Sequence, residues 1–98
     1  VALRIVWSVR AEKGFARIVR YLEENWTEKE VRAYVQGTMH FLSLLSENQK
    51  MLQKSVRGKN LYRGPVNRLT ILTYRIKPRK KVIELVNIRS SWRKPLKG

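Results

Sequence analysis

Leu3, Ile5 and Trp7 alternate with Arg4 and Val6 at the start of the chain. That period of two predicts a short strand with one face buried. Ser8 follows with the side-chain oxygen of an N-cap. From there Ala11, Phe15, Ile18, Val19, Leu22 and Trp26 recur largely at three- and four-residue steps. The pattern predicts an amphipathic helix over about 9–25, with Arg10, Lys13, Arg17, Arg20 and Glu24 on its other faces. Thr27-Glu28-Lys29-Glu30 reads as a capping box, in which Thr27 accepts from the backbone N–H of Glu30 and the Glu30 side chain reaches back. Val31, Tyr34, Val35, Thr38, Leu42 and Leu45 then carry a second helix to about 47. Gly37 inside it costs about 1 kcal/mol against Ala, and a close helix–helix approach would explain it. Only Asn25 and Trp26 separate the two helices, so they should form an antiparallel hairpin.

The second half changes period. Ser46 to Ser55 reads as a polar connection. Leu61 to Val66 predicts a strand disturbed by Gly64-Pro65, which favours an edge or a bulge. Leu69, Ile71 and Thr73 alternate with Thr70, Leu72 and Tyr74 in a strand ending near Lys77. Pro78-Arg79-Lys80-Lys81 is a turn, and Val82 to Ile88 a further strand. Arg89 to Gly98 reads as a basic tail. The expected fold is α+β: an N-terminal strand, an antiparallel helical hairpin and a three-stranded antiparallel sheet, with the hairpin on one face of a mostly antiparallel sheet. The 98 residues make a single domain, 1–98, with 89–98 as its tail.

Charge sharpens this picture. Residues 1–49 hold seven Lys/Arg against six Asp/Glu, and residues 50–98 hold fifteen against the single acid Glu84. Nearly all of the net +15 therefore lies in the second half. Such a field bears on partners rather than on fold, and it calls for an anionic one. There is no cysteine, which removes disulfides, thiol catalysis and Cys-based zinc sites and fits the cytoplasm. No apolar run approaches the ~18 residues of a membrane span, so no membrane partner is expected.

Most catalytic constellations are missing. His40 is the lone histidine, without the convergent ligands a metal needs, and neither a metal nor a cofactor is expected. Arg, Lys and aromatic residues remain. Arg57, Lys59, Tyr62, Arg63 and Arg68 surround the first strand of the C-terminal sheet. Tyr74, Arg75 and Lys77 follow on the next, and Arg89, Trp92, Arg93 and Lys94 on and after the last. Cations interleaved with rings suit RNA or single-stranded nucleic acid, where charge holds phosphates and rings stack on bases. Metal-free RNA cleavage could also run on such groups, with Arg or Lys stabilising the charged phosphorane.

The whole chain resembles the RelE/ParE superfamily of toxins of bacterial type II toxin–antitoxin modules. The resemblance rests on Ile5-Val6-Trp7-Ser8 and on the helix–helix corner from Tyr21 to Glu30. Leu72-Thr73-Tyr74-Arg75-Ile76 and the segment Ile83 to Ile88 add to it. It implies a growth-inhibiting toxin neutralised by an acidic antitoxin in a hetero-oligomer. RelE-like members cut mRNA on the ribosome, and ParE-like members poison DNA gyrase. The nucleases commonly carry Arg three residues before the mid-strand Tyr, and matching on Tyr74 puts Ile71 there. Their C-terminal Tyr or His is also missing, and Trp92 stands in that stretch. The resemblance therefore favours action on gyrase without catalysis. The alternatives are an mRNA endoribonuclease carried by Arg57, Lys59, Arg63, Arg75 and Arg89, and a plain nucleic-acid-binding module. Arg68, Lys77, Trp92, Arg93 and Lys94 are the candidates for target or nucleic-acid contact. Tyr21, Trp26, Tyr34, Phe41, Arg57, Lys59 and Arg63 are those for the antitoxin.

Overall fold

The computed structural model describes residues 2–91. Its elements are β1 (Arg4–Trp7), α1 (Val9–Asn25), α2 (Glu28–Glu47), β2 (Gln53–Lys54), β3 (Leu61–Asn67), β4 (Thr70–Lys77) and β5 (Val82–Ser90). Helix starts follow the local chemistry. The Ser8 hydroxyl accepts from the Ala11 amide at 3.0 Å and donates to the Val86 carbonyl at 3.1 Å, so the cap of α1 is also pinned to β5. The capping box of α2 is complete, with Thr27 and Glu30 exchanging bonds of 3.0 and 3.2 Å.

The fold is α+β with a mostly antiparallel sheet, as expected, but the sheet has five strands, in the order β1-β5-β4-β3-β2, and β1 pairs with β5 in parallel. The expected C-terminal three-stranded antiparallel sheet is its β3-β4-β5 part. β2 arises inside the segment read as a polar connection. It is only two residues long and both are exposed, so it leaves no hydrophobic alternation to detect. β5 also runs to Ser90, which places Arg89 on a strand rather than in a tail. The disturbance at Gly64-Pro65 is present as a register shift between Pro65 and Asn67. Pro65 lies beyond the reach of β2, whose partners are Arg63 and Tyr62. Its missing N–H therefore breaks no ladder on that side.

The helices cover one face of the sheet. Ile18, Leu22, Leu42 and Leu45 meet Leu72, Tyr74, Ile83, Leu85 and Ile88 in a single core. The tight approach is at Gly14, where a Cβ would stand 1.8 Å from the Ile88 carbonyl oxygen. Only glycine lets α1 lie this close to β5. Gly37, the position expected to serve a close helix–helix contact, has nothing within 4 Å of where a Cβ would be. That expectation is corrected: the close packing is helix on strand, made by α1.

Candidate functional site

Strand alternation sorts the chemistry between the two faces of the sheet. Tyr62 and Tyr74 point to the helices and stack on each other, with centroids 5.3 Å apart and an interplanar angle of 8°. Tyr74 is 0 % exposed and donates to the Gln49 carbonyl at 2.6 Å. Burial pushes its pKa up to about 12, against a backbone hydrogen bond from Leu52 that favours the phenolate. Tyr34 is also core, at 7 % exposed. Its hydroxyl is 2.5 Å from that of buried Thr70, and burial raises its pKa. Neither phenol can exchange a proton near neutral pH.

The cations follow the other parity. Arg63 and Asn87 share a row with Thr73 on the outer face, and Gln53 lies opposite Arg63 on β2. A cleft of about 600 Å³ opens there. Arg10, Lys54, Arg57, Arg63 and Arg89 line it, together with Gln53, Ser55, Val56 and Asn87. Five cations face no carboxylate, imidazole or phenol among the described residues. A neighbouring cleft shares Arg10, Asn87 and Arg89 and adds Val9, Lys13 and Arg17. A cationic surface thus continues from the sheet onto α1. Val56 at 103 % and Val9 at 65 % are the most exposed large aliphatic side chains described, and each lines one of these clefts.

A second cationic cleft, of about 700 Å³, lies at the β4–β5 turn. Lys59, Arg75, Lys77, Arg79 and Lys80 line it with Asn60, Ile76 and Pro78. Lys77 is paired with Glu84 at 3.2 Å. The Arg75 Nε is buried and has no hydrogen-bond partner. An unmet charged donor of this kind costs about 1–3 kcal/mol or more.

The five residues named as nuclease candidates therefore do not form one site. Arg57, Arg63 and Arg89 share the first cleft, whereas Lys59 and Arg75 line the second. Lys77 belongs with the latter. Arg68 lies apart, in a groove of about 370 Å³ with Trp26, Ala33, Tyr34 and Leu69. Tyr21, Trp26 and Phe41 are partly buried and pack against the core. Tyr34 is a core residue that also lines that groove: its ring stacks on Phe15 at 5.9 Å and its hydroxyl bonds Thr70. Trp92, Arg93 and Lys94 lie outside the described residues. Sequence reasoning missed Arg10, Lys13 and Arg17. Their spacing of three and four marks one face of α1, but only the seat of Gly14 on β5 puts that face beside Arg89. No group of three or more His, Asp or Glu that could hold a metal occurs among the described residues. Nor does any described helix have the length and apolarity to cross a membrane.

Comparison with known proteins defines the class. The family model described as "ParE toxin of type II toxin-antitoxin system, parDE" matches residues 5–95. The chain belongs to the ParE toxin family of type II toxin–antitoxin systems. Its fold is that of RelE/ParE-type toxins. A chain of the toxin–antitoxin complex RelBE2 from Mycobacterium tuberculosis superposes with a TM-score of 0.62 at 13 % identity, covering 92 % of this chain and 99 % of that one. Among curated proteins none matches the sequence.

Proposed function

We propose that this toxin acts by binding DNA gyrase rather than by cutting RNA, in the cytoplasm, and that an acidic antitoxin holds it inactive. The observation that carries the reading is the chemistry of the first cleft. Arg10, Lys54, Arg57, Arg63 and Arg89 can hold an anion, and no carboxylate, imidazole or phenol lines the cleft beside them to serve as general acid or base. Tyr74, which matches the mid-strand Tyr of the nucleases, has its hydroxyl on Gln49 in the core. Ile71 stands where those enzymes carry Arg, on the outer face opposite Arg89. The match to the ParE family over residues 5–95 supports the same reading.

The antitoxin reading rests on charge and on apolar anchors. A segment with alternating acidic and aliphatic side chains would satisfy Arg57 and Arg63 while covering Val56 and Val9. Lys59 would extend that contact, and Trp26 with its groove beside Arg68 offers a second one at the helix corner.

Purified gyrase tests the target. The expected result is loss of supercoiling or accumulation of a cleaved DNA complex as toxin is added, with no new mRNA ends at ribosomal A sites in induced cells. Unchanged supercoiling without a cleavage complex at excess toxin overturns the gyrase reading. New A-site ends would assign the first cleft to RNA cleavage instead.

A further inference from the structure

Of the nine residues that line the first cleft, eight are cationic or neutral polar, and the ninth, Val56, stands fully in solvent. The five cations reach the cleft from four segments: Arg10 from α1, Lys54 and Arg57 from β2 and the loop after it, Arg63 from β3 and Arg89 from β5. All five are exposed, and none is in an ion pair among the described residues. The backbone around them fixes their places. Gln53 pairs with Arg63 across β2 and β3. The Ser55 amide donates to the Leu61 carbonyl at 2.7 Å, and the Ser55 hydroxyl accepts from the Arg57 amide at 3.1 Å. Lys13 and Arg17 continue the row along α1 through the neighbouring cleft, which no acid lines either. Like charges at three- and four-residue spacing work against a helix, so the fold itself gains nothing from this arrangement.

We infer that this cationic row binds the sugar–phosphate backbone of duplex DNA, and that in the poisoned complex the toxin holds the DNA on which gyrase acts. The role rests on the gyrase reading; the binding itself does not. Protein–protein contacts have an apolar centre depleted of charge. Here cations stand on every segment that forms the cleft, and the one aliphatic side chain points into solvent. Protein–DNA contacts are more polar and far more positive. The row needs a ligand of dense, regular charge, and duplex DNA carries one negative charge per ~1.7 Å of its axis. No aromatic ring lines either cleft, so the row would follow the backbone and stack no bases, which favours a duplex over a single strand. An antitoxin segment lying on Arg57 and Arg63 would then neutralise the toxin by occupying the place of the DNA.

Fluorescence anisotropy of a labelled short DNA duplex, titrated with the full chain in the absence of gyrase, tests the binding. The expected result is saturable binding whose log K falls against log salt with a slope of about −4 to −6, as five to seven phosphate contacts require. An oligoglutamate of equal charge should bind about tenfold more weakly or worse. Arg10→Gln with Arg57→Gln should weaken duplex binding about thirtyfold and flatten the slope by about two units. Arg79→Gln with Lys80→Gln removes the same charge at the β4–β5 turn, outside the row, and should weaken binding less than about threefold. Equal losses from the two pairs would overturn the proposal, because net charge and not the row would then hold the DNA. Oligoglutamate binding as tightly as the duplex would overturn it too, and so would tighter binding of single-stranded RNA of the same length. The last two comparisons use wild type alone, so a folding defect in a variant cannot hide the answer. Gyrase supercoiling, measured apart, judges the role: unaffected gyrase beside tight duplex binding keeps the DNA site and removes its place in gyrase poisoning.

Discussion

The two faces of one sheet carry opposite chemistry from adjacent residues. Tyr62 and Tyr74 turn to the helices, stack, and disappear into the core. Arg63 and Arg75, one residue later on the same strands, turn away from them. Along the chain this looks like a surface of cations interleaved with rings, the pattern expected of a protein that stacks bases. In the fold the period of two separates them, so the rings are structural and the cations stand without aromatic platforms. The inner face should therefore govern stability, and the outer face should govern what the protein holds.

The sharpest probe of the inner face is Gly14→Ala. The new methyl would meet the backbone oxygen of Ile88, which cannot rotate away. We expect a loss of about 3 kcal/mol, the upper end for overpacking, seen as a fall in Tm of roughly 12 °C or more for a domain of this size. The same change should disturb the cationic surface, because the close seat of α1 brings Arg10 and Lys13 beside Arg89. A variant as stable as wild type would mean that α1 does not approach β5 this closely.

Paired charge reversal, Arg57→Glu with Arg63→Glu, probes the outer face. Binding of an acidic peptide should weaken about thirtyfold at low salt, near 2 kcal/mol. The loss should shrink at high salt, because screening shortens the reach of exposed charges. Thermal stability should hold or rise, since self-repulsion in a chain of net +15 is relieved. Titration calorimetry at two salt concentrations, with a melt of each protein, reads all three. Equal loss at both salts would show that the outer face does not work through charge, and a large fall in Tm would erase the division between the faces.

Much of this division was written in the sequence, but not its geometry. Ser8, the Thr27–Glu30 box and the stripes of Ile18, Leu22, Leu42 and Leu45 announce both helices to the residue, because caps and periodicity are local. β2 was illegible: Gln53 and Lys54 are both exposed and form a strand only because Arg63 and Tyr62 stand beside them. The parallel pairing of β1 with β5 joins segments about eighty positions apart and leaves no local mark. For the site, the candidate cations were visible as a charge excess. Their separation into two clefts was not, since it depends on which loop and strand end lie near one another. Arg10, Lys13 and Arg17 looked like the solvent face of a neutral scaffold until Gly14 placed them.

Alkaline pH gives a smaller test of the inner face. The Tyr74 phenol titrates at about 12 in the fold against 10.0 ordinarily. Between those values the unfolded chain releases a proton that the folded chain keeps. Its stabilising contribution is complete below pH 10 and declines as pH climbs toward 12. Burial of Tyr34 pushes in the same direction. Denaturant melts across that window should show wild type losing stability faster than Tyr74→Phe. Parallel decline of the two would place the Tyr74 hydroxyl in water, contrary to its bond with Gln49.

Gly37→Ala is the mildest change and the cleanest contrast with Gly14. Both glycines sit inside helices, and the helical pattern singled out Gly37 rather than Gly14. Gly37 has open space where a Cβ would go, and no described glycine has a positive φ. Alanine there should stabilise by about 0.5–1 kcal/mol, because it removes backbone freedom from the unfolded chain and meets no obstacle in the folded one. The gain should appear as a small rise in Tm with unchanged acidic-peptide binding, because Gly37 lines the groove beside Trp26 and neither cationic cleft. A destabilised Gly37→Ala would mean that α2 is packed closely on that side, and the distinction between the glycine that seats α1 and the one that α2 merely tolerates would fail.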